Sequence, residues 1–240
     1  MWNNKKVSIV FPAYNEGENI RNAIEDFFSS IYVDEIIVVN NNSTDNTIEL
    51  VMKTNAKLIH EKKQGYGYAI QRGLKDASGE YIIVAEPDGT FIGRDILKLL
   101  AYSCDVDLVL GTRTSKELIW YGANMGLFLK WGNWALAKMI ELLFNGPSLT
   151  DVGCTMRLIK KNALEKIQSQ FTVGGSHFSP EMIILAIMNG LDVIEIPLNY
   201  KKRVGTSKIT GEKTKAFKLG LVMIKLILKY WIKNLFAKKI

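Results

Sequence analysis

Cysteine and histidine are scarce in this chain, whose 240 residues include two of each. Cys104 and Cys154 match no zinc-binding spacing and suggest no disulfide framework. We therefore expect no structural zinc site, and we expect the protein to lie in a reducing compartment. The two histidines, His60 and His177, lie outside the polar clusters described below. Catalysis by a histidine is therefore not favoured.

Long apolar runs and targeting signals are also missing. No charge-free stretch reaches the roughly 18 residues that a membrane-spanning helix needs. The first residues lead through Lys5 and Lys6 directly into a strand-like segment, without the apolar stretch of a signal peptide. We therefore expect a cytoplasmic protein.

What the chain does have is apolar content and positive charge. Apolar residues make up 48%, enough for a full hydrophobic core, and the length fits one large domain or one domain with an appendage. The formal net charge of +7 favours anionic partners such as phosphates or a membrane surface. Nucleic acid is not an expected partner, because the sequence has neither an aromatic RNA-binding strand motif nor zinc-finger spacing.

The first half of the chain alternates between strand-like and helix-like segments. Such β-α-β alternation predicts an α/β fold with a mostly parallel sheet and helices on both faces. The predicted strands are Val7–Pro12, Glu35–Asn40, Lys57–His60, Tyr81–Ala85 and Asp107–Gly111, with a further strand or strand pair at Asp192–Tyr200. The predicted helices are 17–30, 47–53, 66–77, 94–102 and, interrupted by glycines, 118–144.

Two acids, Glu86 and Asp88, directly follow the apolar run Tyr81–Val84. Acids at the carboxyl end of a buried parallel strand lie where open α/β sheets bind their ligands. Two carboxylates there can hold a divalent cation against a diphosphate, because hard cations prefer oxygen ligands and bridge phosphate oxygens. The alternative is a solvated acidic turn.

Polar clusters follow the other predicted strands too. Because the carboxyl ends of neighbouring parallel strands meet at one edge of the sheet, these clusters predict a single crevice. Helices that begin there would favour a phosphate, and Gly65 and Gly67 would let the backbone approach a ligand closely. The clusters are Pro12–Glu16, Asn40–Asp45, Gln64–Gly67 and Glu86–Asp88.

The order and spacing of these segments resemble glycosyltransferase family 2. The resemblance rests on Pro12-x-Tyr14-Asn15-Glu16, Asn40–Asp45, Gly65-x-x-x-Ala69, Gly79-Glu80-Tyr81 and Glu86-x-Asp88. Three later segments, Gly111–Arg113, Asp151–Arg157 and Ile196–Lys208, resemble the family's polyprenyl-phosphate branch, typified by dolichyl-phosphate mannosyl- and glucosyltransferases. The resemblance implies a GT-A fold, a UDP- or GDP-linked sugar donor, and Mg²⁺ or Mn²⁺ at the acid pair.

The resemblance also implies roles for individual residues. Donor-binding roles fall to Pro12, Tyr14, Glu16, Asn40, Asn42, Gln64, Glu86 and Asp88, of which Asp88 and Glu86 would hold the metal. Acceptor-binding roles fall to Arg113, Arg157, Ser207 and Lys208, and catalytic roles to Asp88, Arg203 and Asp151. Two departures stand out: the family usually has aspartates where Asn40 and Asn41 stand, and an aspartate at Glu86.

The implied reaction is an inverting transfer of a sugar from a nucleoside diphosphate to a polyprenyl phosphate. A phosphate acceptor is already ionised at neutral pH, so it needs arginines to bind it rather than a strong general base. A saccharide hydroxyl as acceptor would instead need a base, for which Asp151 is the candidate. A third possibility is a non-catalytic protein that only binds a nucleotide sugar.

Residues 211–240 predict a basic amphipathic helix after a GT-A domain at residues 1–210. Its lysines at positions 215, 218, 225, 229 and 233 fall within about a quarter turn, and apolar residues cover the rest. A wide apolar face beside a lysine stripe, with Trp231, is typical of a helix lying in a membrane surface. This predicts a peripheral protein at the inner face of the membrane. The alternative is a helix packed on the domain with its lysines facing water.

Overall fold

The structure, a computed structural model, describes residues 1–123, 126–205 and 213–237. Within them the chain forms seven strands and eight α-helices. The strands are β1 Val7–Ala13, β2 Glu35–Asn40, β3 Lys57–His60, β4 Tyr81–Val84, β5 Leu108–Thr112, β6 Arg157–Lys160 and β7 Val193–Pro197. The helices are α1 Ile20–Phe28, α2 Thr47–Met52, α3 Tyr66–Asp76, α4 Ile96–Tyr102, α5 Leu127–Phe144, α6 Lys161–Ile167, α7 Phe178–Met188 and α8 Lys213–Ala237.

These strands form one sheet in the order β3-β2-β1-β4-β6-β5-β7. β1 pairs in parallel with β2 and β4, β2 with β3, and β5 with β7, whereas β6 is antiparallel to both of its neighbours. The register pairs Ala13 with Asn40 and Asn40 with His60, so β1, β2 and β3 end level with each other at one edge. The predicted α/β fold, with a mostly parallel sheet flanked by helices, is confirmed.

The strands are apolar because helices cover the sheet on both sides. Every residue of β1 is buried, and successive side chains enter two separate cores. Val10 belongs to the core with α3, α5, α6, α7 and α8, and Ile9 and Phe11 belong to the core with α1, α2 and α4. Each such fully buried side chain contributes about 1.5–3 kcal/mol, so the loops at the carboxyl edge start from a rigid base.

The sequence does not predict three of the elements: β6, α6 and α7. β6 is four residues long with charged residues at both ends, Arg157 and Lys160, so it lacks the apolar run that marks the other strands. α7 is buried on nearly all sides and has no polar face that would mark an amphipathic helix. The predicted helix 118–144 is shorter in the structure, where α5 begins at Leu127 and Ile119 instead pairs with Tyr200 in a β-bridge.

Helix α8 presents three different faces. The first is buried against α5 and α7 and joins the core on that side of the sheet; it consists of Met223, Leu226, Ile227 and Tyr230. The second is the predicted lysine stripe, whose five members are all exposed. The third carries exposed apolar side chains at helical spacing, namely Phe217, Leu221, Ile224, Leu228 and Leu235. Among the described helices, none is long and apolar enough to pass through a bilayer.

A buried carboxylate joins α7 and α8 to the loop before α7. Glu181 is fully buried and accepts hydrogen bonds from the Thr172 N–H and hydroxyl, the Val173 N–H and the Tyr230 hydroxyl, at 2.6 to 3.2 Å. All four partners are donors, so an amide nitrogen in place of one carboxylate oxygen would face another donor. We expect Glu181→Gln to lower the free energy of unfolding by about 2 kcal/mol in urea denaturation.

Tyr230→Phe is the matched control for Glu181→Gln, because it removes one donor without placing a new donor opposite the others. We expect it to cost about 1 kcal/mol. If Glu181→Gln were as stable as the wild type, the carboxylate would not be what holds the loop at Thr172 and Val173.

Candidate active site

Loops at the carboxyl ends of β1 to β4 form one wall of a large cavity, at the edge of the sheet where the sequence predicts a crevice. The cavity has a volume of about 910 Å³. Its polar wall includes Pro12, Tyr14, Glu16, Asn41, Gln64, Glu86 and Arg203. Residues of α5 and α8 form an apolar wall. The predicted site residues Ser207 and Lys208 lie outside the residues that the structure describes.

Three carboxylates in this region face a single arginine, Arg203. Its guanidinium lies 2.7 Å from Asp88 Oδ2, 2.9 Å from Glu16 Oε1 and 4.0 Å from Glu86 Oε2. Burial disfavours the charge of Arg203, but the nearby carboxylates outweigh burial and raise its pKa. Asp88 is held from its other side, because Oδ1 accepts hydrogen bonds from the N–H and hydroxyl groups of Thr90 at 2.9 and 2.5 Å. Arg203 therefore brings Glu16, Glu86 and Asp88 together at one point.

The acid pair Glu86 and Asp88 fits a divalent cation. Asp88 Oδ2 is buried, and no hydrogen-bond donor in the described part of the chain is aligned on it, although Arg203 Nη1 is close. Glu86 lines the cavity, and burial together with the charge of Asp88 raises its pKa to about 7. A positive charge at this point would give Asp88 Oδ2 a partner and would favour the ionised form of Glu86. Carboxylate oxygens are the ligands that Mg²⁺ and Mn²⁺ prefer.

Glu86 and Asp88 would fill only part of the coordination shell of a divalent cation. In residues 1–123, 126–205 and 213–237, no group of three or more His, Cys, Asp or Glu side chains is arranged to hold a metal ion. A cation bound by two carboxylates keeps open positions for phosphate oxygens or water. The pair is therefore suited to a metal that arrives with a diphosphate.

Two hydroxyl groups support Glu86. The Thr155 hydroxyl donates to Glu86 Oε1 at 3.1 Å and lies 2.6 Å from the Tyr66 hydroxyl. Burial and the nearby Glu86 charge raise the pKa of Tyr66 well above its usual value, so Tyr66 keeps its proton. Neither Tyr66 nor Thr155 is a predicted site residue. Their one signal is that each lies inside a segment that carries the family resemblance, at Gly65–Ala69 and Asp151–Arg157.

Asn40 and Asn42, which the resemblance assigns to the donor, make contacts within the protein. Asn40 Nδ2 lies 3.2 Å from His60 Nδ1, and Asn42 donates to Gln64 Oε1 at 3.1 Å. Asn41, which lies between them, lines the cavity, whereas Asn40 and Asn42 do not. The donor-binding role of Asn40 and Asn42 stays a prediction.

Two glycines at the start of α3, Gly65 and Gly67, allow a close approach of protein backbone. The N–H groups of Gly67 and Tyr68 donate to the Gly174 carbonyl at 2.9 and 3.2 Å. At Gly65, where φ is +154°, an added Cβ would lie 2.3 Å from the same carbonyl oxygen. The start of α3 is therefore occupied by the loop around Gly174, and the close approach expected for a ligand is made there by the chain itself.

Arg113 and Asp151 form a buried ion pair in the cavity wall. Nε and Nη2 of Arg113 donate to the two carboxylate oxygens of Asp151 at 2.8 and 2.9 Å, and the Arg113 backbone N–H donates at 3.0 Å. Burial favours protonation of Asp151, but the Arg113 charge and hydrogen bonds outweigh it and lower the pKa of Asp151. A carboxylate engaged in this way orients Arg113 and is poorly placed to take a proton from a substrate.

Arg113 also contacts Tyr200 and faces the cavity. Its guanidinium lies over the Tyr200 ring, 5.1 Å from the centroid, and Arg113 lines the cavity. Its Nε and Nη2 are directed to the carboxylate of Asp151. Arg113 is therefore fixed from two sides at the cavity, a position that suits the predicted contact with an anionic acceptor.

Arg157, by contrast, is buried, and its guanidinium donates hydrogen bonds to backbone carbonyl groups. Nε donates to the Thr155 carbonyl and Nη1 to the Ser179 carbonyl, both at 3.2 Å, and Nη2 donates to the Cys154 carbonyl. Burial lowers the pKa of Arg157, and the side chain is only 3% exposed. The predicted contact with the acceptor remains a prediction that this packing does not favour. The guanidinium instead joins the loop before β6 to the start of α7.

A mostly parallel sheet with an acid pair after its fourth strand and a cavity at its carboxyl edge defines a GT-A type of nucleotide-sugar transferase fold. The chain superimposes on glucosyl-3-phosphoglycerate synthase from Mycobacterium tuberculosis with a TM-score of 0.73, covering 95% of this chain and 79% of that one at 17% sequence identity. The predicted GT-A fold is confirmed. The sequence profile of glycosyl transferase family 2 matches residues 8–168. The chain belongs to glycosyltransferase family 2.

Two relatives with assigned activities resemble the chain over most of its length. It is 30% identical over 208 residues to the low-salt glycan biosynthesis hexosyltransferase Agl6 of Haloferax volcanii, a match that covers 85% of this chain and 49% of that protein. It is 28% identical over 239 residues to the UDP-N-acetylglucosamine–dolichyl-phosphate N-acetylglucosaminyltransferase of Methanococcus voltae, covering 87% of this chain and 93% of that protein. The chain thus spans about half the length of the first relative and nearly all of the second.

Proposed function

We propose that this protein is a metal-dependent inverting glycosyltransferase that moves a sugar from a nucleoside-diphosphate donor to a polyprenyl phosphate of the dolichyl type. Membership of glycosyltransferase family 2 and the Methanococcus relative, which acts on dolichyl phosphate, support this reaction. UDP is favoured over GDP, because that relative uses a UDP-linked sugar and the Mycobacterium structure is a complex with UDP and Mn²⁺.

The proposal rests mainly on the cavity lining, which is charged in one part and apolar in another. One part is charged, with Glu16, Glu86 and Arg203 in its wall. Another part is apolar and lies between α5 and α8, with Phe128, Leu136, Met139, Leu219, Met223 and Ile224 among its lining residues. A nucleotide sugar matches the charged part, and an isoprenoid chain matches the apolar part. A saccharide acceptor would leave the apolar wall without a matching partner.

The proposed reaction depends on charge compensation. Asp88 and Glu86 would hold Mg²⁺ or Mn²⁺, which would supply the positive charge that neutralises a departing diphosphate. Arg203, whose guanidinium reaches both of these acids, is placed to bind a phosphate oxygen at the same point. Arg113, oriented by Asp151, offers its guanidinium to the acceptor phosphate, whose attacking oxygen is already ionised. The acceptor therefore needs no base, in agreement with the engaged carboxylate of Asp151.

A donor screen tests this proposal. The full-length protein is incubated with polyprenyl phosphate and radiolabelled UDP- or GDP-sugars, with and without EDTA, and the label that partitions into organic solvent is measured. We expect label from a UDP-sugar in the lipid fraction and its loss with EDTA. Label in a water-soluble glycoside alone would contradict the lipid acceptor, and nucleotide binding without any transfer would point to a non-catalytic protein.

We further propose that α8 and the first half of α5 contact the inner face of a membrane. The apolar face of α8 lies beside its exposed lysine stripe, and α5 adds exposed Phe128, Trp131 and Trp134. Apolar side chains with flanking lysines and tryptophans are typical of a helix in the interface of an anionic bilayer. Both helices also line the apolar part of the cavity, so a lipid acceptor would reach it directly from the bilayer.

Substitutions on α8 test the membrane contact without disturbing its buried face. Leu228, Ile232 and Leu235 are 38%, 50% and 45% exposed and do not line the cavity. Replacing all three by Gln should reduce co-sedimentation with phosphatidylglycerol vesicles by at least about tenfold, because the apolar surface no longer enters the bilayer. UDP binding should be unchanged.

The control for this variant replaces exposed apolar residues elsewhere, namely Ile31, Met52 and Leu97, by Gln. This control should sediment with vesicles as the wild type does. Equal binding by the α8 variant and the wild type would show that the membrane contact lies on another surface.

A further inference from the structure

The side chain of Asn41 is fully engaged by the loop between β3 and α3. Nδ2 donates to the carbonyl oxygens of Glu61 and Lys63 at 2.9 and 2.8 Å. Oδ1 accepts from the Gly65 N–H at 2.8 Å and from Gln64 Nε2 at 3.2 Å. Asn41 is only 2% exposed. Two donors and two acceptor positions are all that one carboxamide has, so none remains for another partner.

The identity of the residue at position 41 follows from these partners. A carbonyl oxygen can only accept and a backbone N–H can only donate, so the contacts with Glu61, Lys63 and Gly65 fix which end of the carboxamide is nitrogen. An aspartate would place a second oxygen where Nδ2 now lies, 2.8 to 2.9 Å from two carbonyl oxygens. The loop would then have to move away, because acceptors that close repel each other.

The loop that Asn41 holds, residues 61–65, leads directly into the site. Gln64 and Tyr66 both line the cavity. Tyr66 also reaches Glu86 through the Thr155 hydroxyl, so the position of the loop bears on the proposed metal pair as well. A displacement at Asn41 would therefore reach two parts of the donor site.

We infer that Asn41 is a positioning residue, which holds loop 61–65 in place for the nucleotide donor and does not itself read the base. The role of Asn41 rests on the proposed nucleotide-sugar donor, because the loop that Asn41 holds would form part of the donor site. If this role is correct, displacement of loop 61–65 must lower the binding affinity for every nucleotide by the same factor. A residue that read the base would change the preference between nucleotides.

Three full-length variants test the inference. Asn41→Asp removes two hydrogen bonds and adds repulsion, and Asn41→Ala removes the bonds without repulsion. Asn189→Asp makes the same atom exchange at an exposed position at the end of α7. Calorimetric titration with UDP and with GDP, each in Mn²⁺, gives the affinities. Trypsin cleavage after the exposed residues Lys62 and Lys63 reports directly on whether the loop has opened.

We expect Asn41→Asp to lower the affinities for UDP and GDP by the same factor, at least about tenfold. The rate of cleavage after Lys62 and Lys63 should rise by a similar factor. Asn41→Ala should fall between Asn41→Asp and the wild type, and Asn189→Asp should match the wild type. A changed ratio of UDP to GDP affinity would overturn the inference, since Asn41 would then read the base. Unchanged cleavage in Asn41→Asp would overturn it too. If the wild type bound neither nucleotide, the proposed function would fail, while the cleavage rates would still decide whether Asn41 holds the loop.

Discussion

Asp88→Asn is expected to lower kcat by about a hundred- to a thousandfold, which corresponds to a loss of about 3–4 kcal/mol of transition-state stabilisation. The substitution removes the negative charge at the one oxygen of the acid cluster that is buried without an aligned hydrogen-bond donor in the described residues. Without that charge, the pair with Glu86 no longer offers two carboxylates to Mg²⁺ or Mn²⁺. Sugar transfer is measured at saturating donor and acceptor, over a titration of Mn²⁺.

The fold should survive this change. An asparagine keeps the Oδ1 that accepts from Thr90, and Arg203, although it loses the carboxylate 2.7 Å away, retains its 2.9 Å contact with Glu16. The midpoint of thermal unfolding should therefore shift by only a few degrees. Asp26→Asn is the matched control, because that carboxylate also accepts a backbone N–H, from Gly93 at 2.7 Å, but lies away from the cavity. An Asp88→Asn enzyme that kept more than about a tenth of the wild-type kcat would rule out the proposed metal role.

The acid pair is predictable from sequence because its signal is local. A four-residue apolar strand followed by two acids places those acids at the ligand-binding edge of a parallel sheet, whatever the rest of the chain does. β6 is different, because its four residues begin and end with a charge and are recognisable as a strand only once β4 and β5 flank them. Arg157 lies on that strand, so its burial follows from an element that the sequence does not reveal.

The roles of Asn41 and α8 depend on partners that are distant in sequence. The run of asparagines after β2 indicates a polar loop near the site, but it does not show that loop 61–65 uses every hydrogen-bonding position of Asn41. The lysine stripe of α8 is visible as a helical pattern. Its buried face is not, because the sequence shows an apolar surface covering most of the helix and does not distinguish residues that meet α5 and α7 from residues left exposed. The periodicity of the sequence predicts an amphipathic helix. Which of its apolar residues are buried and which are exposed is known only from the packing.

The two arginines assigned to the acceptor differ in their surroundings, and their variants should differ accordingly. Arg113→Lys removes the fork that binds Asp151 and replaces Nη1 with a mobile ammonium, so we expect the KM for polyprenyl phosphate to rise about ten- to a hundredfold, with the donor KM nearly unchanged. Arg157→Lys loses hydrogen bonds to backbone carbonyls instead. It should lower the free energy of unfolding by about 2 kcal/mol and leave the acceptor KM close to that of the wild type.

Asp151→Asn should behave like Arg113→Lys, because an amide nitrogen would face the donors of Arg113 and release the guanidinium. The acceptor KM should rise, and the double variant should be little worse than either single one, since both changes remove the same positioned group. Arg113 lowers the pKa of Asp151, so a variant that lacks this carboxylate should keep the pH dependence of kcat near neutrality. A general base would behave otherwise: Asp151→Asn would stop turnover and remove an ionisation from the pH profile, while Arg113→Lys would hardly matter. That second pattern would replace the phosphate acceptor by a hydroxyl, and steady-state kinetics of the three variants against polyprenyl phosphate distinguishes the two.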